Sequence, residues 1–159
     1  AFGMEVQAYD IYWDEEFAAD HGIKKCATPA ELLASSDVIS LHCFLDEKTR
    51  GLINADSIET MKDGVVILNC ARGEVVNTDA LVAALHSGKV GGYGADVLDQ
   101  EPPPADHPLF GTPNTAITTH IGSRTYESVV RQATKATQNL VNYVNGVPPV
   151  AQANVIPED

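Results

Sequence analysis

The chain has 159 residues, enough for one domain with its own core and too few for two of comfortable size. Ten Lys and Arg stand against 22 Asp and Glu, a formal charge of −12 with no basic run; this argues against a nucleic-acid or anionic-membrane surface and leaves room only for a local positive site for a small anion. Cys26, Cys43 and Cys70 are odd in number and form no CxxC, which points to a reducing, cytoplasmic setting, while no apolar run approaches the roughly 20 residues of a membrane helix and the N-terminus lacks a signal-peptide layout.

In chain order, short apolar runs alternate with segments of helical spacing. "MEVQAYD" reads as a strand and is followed by a helix around 14–19. The strand "IKKCA" precedes a helix over 29–35, and "DVISLHC" precedes one over 54–61. "GVVILNC" leads to a helix over 78–85 carrying Leu81, Val82 and Leu85 on one side. "GYGADVL" then runs into "EPPPADHP", where each proline bars its neighbour from helix and imposes a stiff loop. After the strand "TAITTH" comes the longest helix, from Tyr126 to Val144. Its stripe is Val129, Val130, Ala133, Ala136, Leu140, Val141 and Val144, and Asn145–Gly146 closes it. The tail "VAQANVIPED" has no assignable period. "GVVIL" shows no period-two alternation, so both of its faces are expected to be covered. The pattern predicts one compact α/β unit, a doubly wound parallel sheet with helices on both faces.

Ligands of open parallel sheets bind at the carboxyl ends of the strands. That edge would receive Asp10, then His42 and Cys43, then Cys70, Ala71 and Arg72, then Asp96, Asp99 and Glu101, and finally His120. Each has an ordinary reading. Asp10 either caps the following helix or accepts hydrogen bonds from a ribose diol. Arg72 either snorkels past the strand end or, flanked by the small Ala71 and Gly73, presents its rigid fork to a carboxylate. Glu101 alone is a loop acid, and His120 alone is a core or capping histidine. Paired, a carboxylate and an imidazole make a competent proton donor near neutral pH. His21, His42, His86 and His107 have no comparable setting, and His86 and His107 read as structural. No His or Cys pair has ligand spacing, so no metal is expected.

The run from "TRGLINADSIETMKDGVVILNCARGEVV" through "GADVLDQEPPPADHPLF" to "TAITTHIGS" resembles the nucleotide-binding domain of the D-isomer-specific 2-hydroxyacid dehydrogenases. The resemblance implies a Rossmann-like fold, NAD as cofactor and a small 2-oxo or 2-hydroxy acid as substrate. Arg72 matches the arginine that binds the substrate carboxylate and carbonyl, Glu101 the acid paired with the catalytic histidine, and His120 that histidine. Asp96 would bond the nicotinamide carboxamide and Asp10 the adenosine ribose, while Cys43, Cys70, Ala71, Gly122 and Ser123 would line the cofactor. The implied reaction passes hydride from NADH to the carbonyl carbon while His120 protonates the carbonyl oxygen. Glu101 departs from the glutamine of the formate dehydrogenase branch. Phe44 and Thr119 stand where the family usually has proline.

The resemblance also implies what precedes Asp10: a first strand, a glycine-rich turn and the helix whose N-terminus binds pyrophosphate. "GGYG" at 91–94 lies in a strand and is not that turn. Residues 1–146 are therefore expected to form a dinucleotide-binding domain incomplete at its N-terminus, and residues 147–159 a tail returning to a substrate domain. In the order 3-2-1-4-5-6 the missing strand is central, leaving a slot between "EVQAYD" and "DVISLHC". The chain is accordingly expected to be a fragment of a longer enzyme, or to fill the slot by repacking or through a second copy, as a homodimer or other self-association. The alternative function is a non-catalytic folded or self-associating module.

Overall fold

The computed structural model describes residues 3–150. The chain divides into two compact units, one ending at Thr119 and one beginning at His120.

The first unit opens with β1 (Gln7–Ala8), α1 (Glu15–His21), β2 (Lys24–Lys25) and α2 (Pro29–Ser35). Asp14, not Asp10, caps α1: its carboxylate accepts the Phe17 N–H at 2.9 Å. Thr28 caps α2 in the same way, with Pro29 in the first turn, where its missing N–H costs nothing. There follow β3 (Val38–Leu41), α3 (Ala55–Thr60), β4 (Val65–Asn69), a 3-10 turn at Gly73–Val75, α4 (Thr78–Ser87), β5 (Val90–Ala95) and β6 (Thr115–Ile117). α3 starts in a reciprocal capping box between Asn54 and Ser57. Every expected strand is present but shorter than its apolar run, except that β5 begins two residues earlier, at Val90.

Among the described residues all strand pairings are parallel, in two sheets: β1 with β2, and β3-β4-β5-β6 in that order. Among the described residues, β1 and β3 are not hydrogen-bonded neighbours, so the sheet parts where the expected slot lies. The Gln7 amide instead donates to the hydroxyls of Ser35 and Ser36, at 2.8 and 3.0 Å, just ahead of β3.

Burial alternates along β3 and β4. Ile39, Leu41, Val65, Ile67 and Asn69 point into a core shared with Ile53, Ile58, Leu81, Leu85 and Val90. The opposite face carries Val38 and Leu68, 46% and 39% exposed. A continuous apolar run shows that both faces can be buried, and the neighbouring layers decide whether they are.

The second unit holds α5 (Tyr126–Val144), capped by Thr125, whose hydroxyl accepts the Ser128 N–H at 3.1 Å. It stops where expected: Gly146 adopts φ +70°, and the Val147 N–H returns to the Asn142 carbonyl at 2.8 Å. None of its residues is buried, and Val130, Leu140 and Val144 are 65%, 64% and 74% exposed. The end of the tail, residues 151–159, lies outside the described residues.

Candidate active site

The register of the four-stranded sheet aligns Leu41, Asn69, Ala95 and Ile117 in one row. The residues that leave these strands therefore emerge at a common edge: Cys43, then Cys70, Ala71 and Arg72, then Asp96, then Thr118. This edge holds most of the candidates of the first unit. Asp10 lies beyond β1, in the other sheet, exposed, with its carboxylate accepting the Tyr12 N–H at 2.8 Å in a local turn.

The turn carrying Arg72 is built by Asn69, which is fully buried. Its side-chain oxygen accepts the Ala71 N–H at 3.0 Å and its amide donates to the Arg72 carbonyl at 2.9 Å. One buried amide thereby satisfies two backbone groups that the end of the strand would orphan. Arg72 itself is exposed, and its Nη1 donates to the Ala71 carbonyl at 2.7 Å. Beside Asn69, burial pushes the Tyr93 phenol up to about 12; the bond to Asn69 opposes this, and Asp99 and Cys70 add to it.

Gly73 joins this turn to the next loop. A Cβ at that position would fall 2.0 Å from the Leu98 carbonyl carbon and 2.2 Å from the Asp99 nitrogen, so only glycine lets the two backbones meet. Three residues further on is Glu101, whose carboxylate accepts the Leu98 N–H at 3.2 Å. The Arg72 turn and the Glu101 loop are thus locked together through main chain.

Asp96 receives a short hydrogen bond from the Thr118 hydroxyl and donates its N–H to the Asn69 carbonyl at 3.1 Å. Cys43 is half-buried. Burial raises its thiol, its own backbone bond opposes the rise and Asp46 adds to it. Cys70 is exposed and Ala71 buried.

In the second unit, His120 is exposed and sits at φ +53°, a left-handed conformation uncommon outside glycine. Gly122 and Ser123 follow in the turn before α5, where the Ser123 carbonyl accepts from the Gln132 amide at 3.5 Å.

A cleft of about 390 Å³ in the first unit lies beside this machinery, lined in part by Arg50, Glu74, Thr78, Asp99 and His107 and by neither Arg72 nor Glu101. Asn69 and Tyr93 were not singled out by the sequence, Gly73 was read only as room beside Arg72, and Asp99 and the structural His107 were not paired. One signal was available: a polar Asn ending a buried apolar run needs partners.

A parallel α/β sheet with an arginine, two carboxylates and small residues delivered to its carboxyl edge defines a nucleotide-type fold. The family described as D-isomer specific 2-hydroxyacid dehydrogenase, NAD binding domain, matches residues 1–122, and the chain belongs to it. The chain is 43% identical over 148 residues to a hydroxypyruvate reductase of Blautia hydrogenotrophica, covering 93% of this chain and 45% of that protein. It is 36% identical over 155 residues to D-3-phosphoglycerate dehydrogenase of Bacillus subtilis, covering 98% and 29%. The crystal structure of D-lactate dehydrogenase from Aquifex aeolicus with NAD and lactic acid superposes with a TM-score of 0.83 at 35% identity, covering 91% of this chain and 47% of that one. The chain spans less than half the length of these relatives.

The residues present suit parts of NAD. Asp10 carries an exposed carboxylate of the kind that accepts hydrogen bonds from a ribose diol. No glycine-rich turn opens a helix among the described residues, and α1 begins with Asp14, Glu15 and Glu16, a set that would repel a pyrophosphate.

Proposed function

We propose that the chain provides the NAD-binding part of a dehydrogenase that interconverts a small 2-oxo acid and the corresponding D-2-hydroxy acid. The observation that carries this reading is the backbone lock at Gly73, which couples the turn presenting Arg72 to the loop presenting Glu101. Arg72 binds the substrate carboxylate with its planar fork and stabilises charge developing on the carbonyl oxygen, a contribution worth roughly 3–4 kcal/mol in comparable sites. His120 gives a proton to that oxygen during reduction and recovers it in the reverse direction. Glu101 stands where the acid that works with this histidine is expected from the resemblance. Bound NADH supplies the hydride. Asp10 accepts from the adenosine ribose and would repel a 2′-phosphate, Asp96 bonds the carboxamide, and Cys43, Cys70, Ala71, Gly122 and Ser123 line the cofactor. The names of the relatives make hydroxypyruvate and pyruvate, the oxo acid that corresponds to lactic acid, the first substrates to try.

The test is turnover of these acids by the full chain, with His120→Ala beside it. Loss of turnover in His120→Ala with NADH binding retained is expected; equal loss of both would remove the acid–base role. A second reading, a self-associating module without catalysis, is favoured by the parted sheet and the uncovered stripe of α5. Saturable NADH fluorescence that NADPH does not match separates the first reading from the second.

A further inference from the structure

The loop that carries Glu101 is pinned at both ends. Leu98 and Asp99 are pressed against Gly73 at one end. At the other, His107 lies buried, its side chain 2% exposed, with Nε2 2.9 Å from Asp99 Oδ1 across a separation of eight residues. The Leu109 N–H donates to His107 Nδ1 at 3.3 Å, so Nδ1 carries the lone pair and Nε2 carries the hydrogen that is donated to Asp99. A backbone amide thus selects the tautomer the contact needs. Between the two ends run Pro102, Pro103 and Pro104, which stiffen the span and transmit the position of its ends. The His107 ring is braced by Phe110, with centroids 5.5 Å apart.

We propose that His107, clasped to Asp99, is a positioning residue that closes the proline-stiffened loop and so holds the Glu101 carboxylate in place. Its importance for turnover rests on the reading of Glu101 given above; the clasp itself rests on geometry alone. Burial obliges both nitrogens of this ring to be paired, and the choice of Asp99 as one partner is what spans the loop. Here both ring nitrogens are used, one within the loop and one across it.

The Leu98 N–H, bonded to Glu101, reports directly on where that carboxylate sits. In the full chain, His107→Leu should speed hydrogen exchange at the Leu98 amide and lower kcat about 100-fold, the scale of a misplacement near 1 Å, with NADH affinity unchanged. His107→Gln, which keeps an N–H for Asp99, should restore most of both. Asp99→Ala, a change at the more exposed partner, should reproduce the faster exchange if His107→Leu fails to fold. Unchanged Leu98 exchange in these variants, or a His107→Gln variant as impaired as His107→Leu, would overturn the clasp. A wild-type chain that turns over no 2-oxo acid while His107→Leu still loosens Leu98 would end the dehydrogenase reading and leave the clasp standing.

Discussion

Single side chains at the strand ends carry more of the architecture than their charge suggests. Asn69 shapes the Arg72 turn with one amide, and Asp99 ties its loop to His107. Burial, the largest single influence on Asp99, pushes its pKa up, but bonds from His107, from Thr78 and from its own backbone together carry it below the usual carboxylate value. A carboxylate depressed on folding contributes stability that is fully present above its unfolded pKa, near 3.9, and is lost as the pH falls through the lower folded value. Urea stability of the wild type should therefore decline from about pH 5 to pH 3. In Asp99→Asn the decline should be shallower, because one such group has been removed. Equal slopes would mean that the exposed carboxylates with lowered pKa, Glu15, Asp46 and Asp63, account for all of it.

At the scale of elements, the decisive contact is between two loops. Gly73 begins the 3-10 turn after β4, and Leu98–Asp99 follows β5. The lack of a side chain at residue 73 lets these segments touch. Gly73→Ala places a methyl group against main chain that cannot rotate away. The expected cost is about 1–3 kcal/mol in urea unfolding, the range for overpacking, and more if the backbone has to shift. Activity should fall further than stability, since Arg72 and Glu101 would move apart. Gly94→Ala is the control, because its nearest neighbour, 2.8 Å from an added Cβ, is the Leu68 side-chain terminus, which can rotate.

For the molecule as a whole, the unresolved balance is one of uncovered surface. The sheet is in two pieces, Met4 and Val6 near β1 are 63% and 53% exposed, and α5 buries none of its stripe. Apolar area of this extent favours association, at roughly 25 cal/mol for each Å² removed from water. Light scattering after size exclusion should show the 159-residue chain as a dimer or larger species. Replacing Val130 and Leu140 with Ser should shift it towards monomer, and a wild type that stays monomeric at all concentrations would sink this expectation.

The sequence by itself determined the order and kind of the elements: six Val- and Ile-rich runs became the six strands, and Thr28, Asn54 and Thr125 start helices through local bonds that involve only neighbouring residues. It also indicated which residues leave the strand ends, because a parallel sheet sends them all to one edge. Tertiary structure decided the rest. That His107 meets Asp99 and that Gly73 lies against Leu98 depend on segments separated along the chain. Hydrophobic periodicity records what a segment can bury. Only the packed neighbours determine what it does bury, because a contact between distant segments is set by geometry that no local pattern encodes.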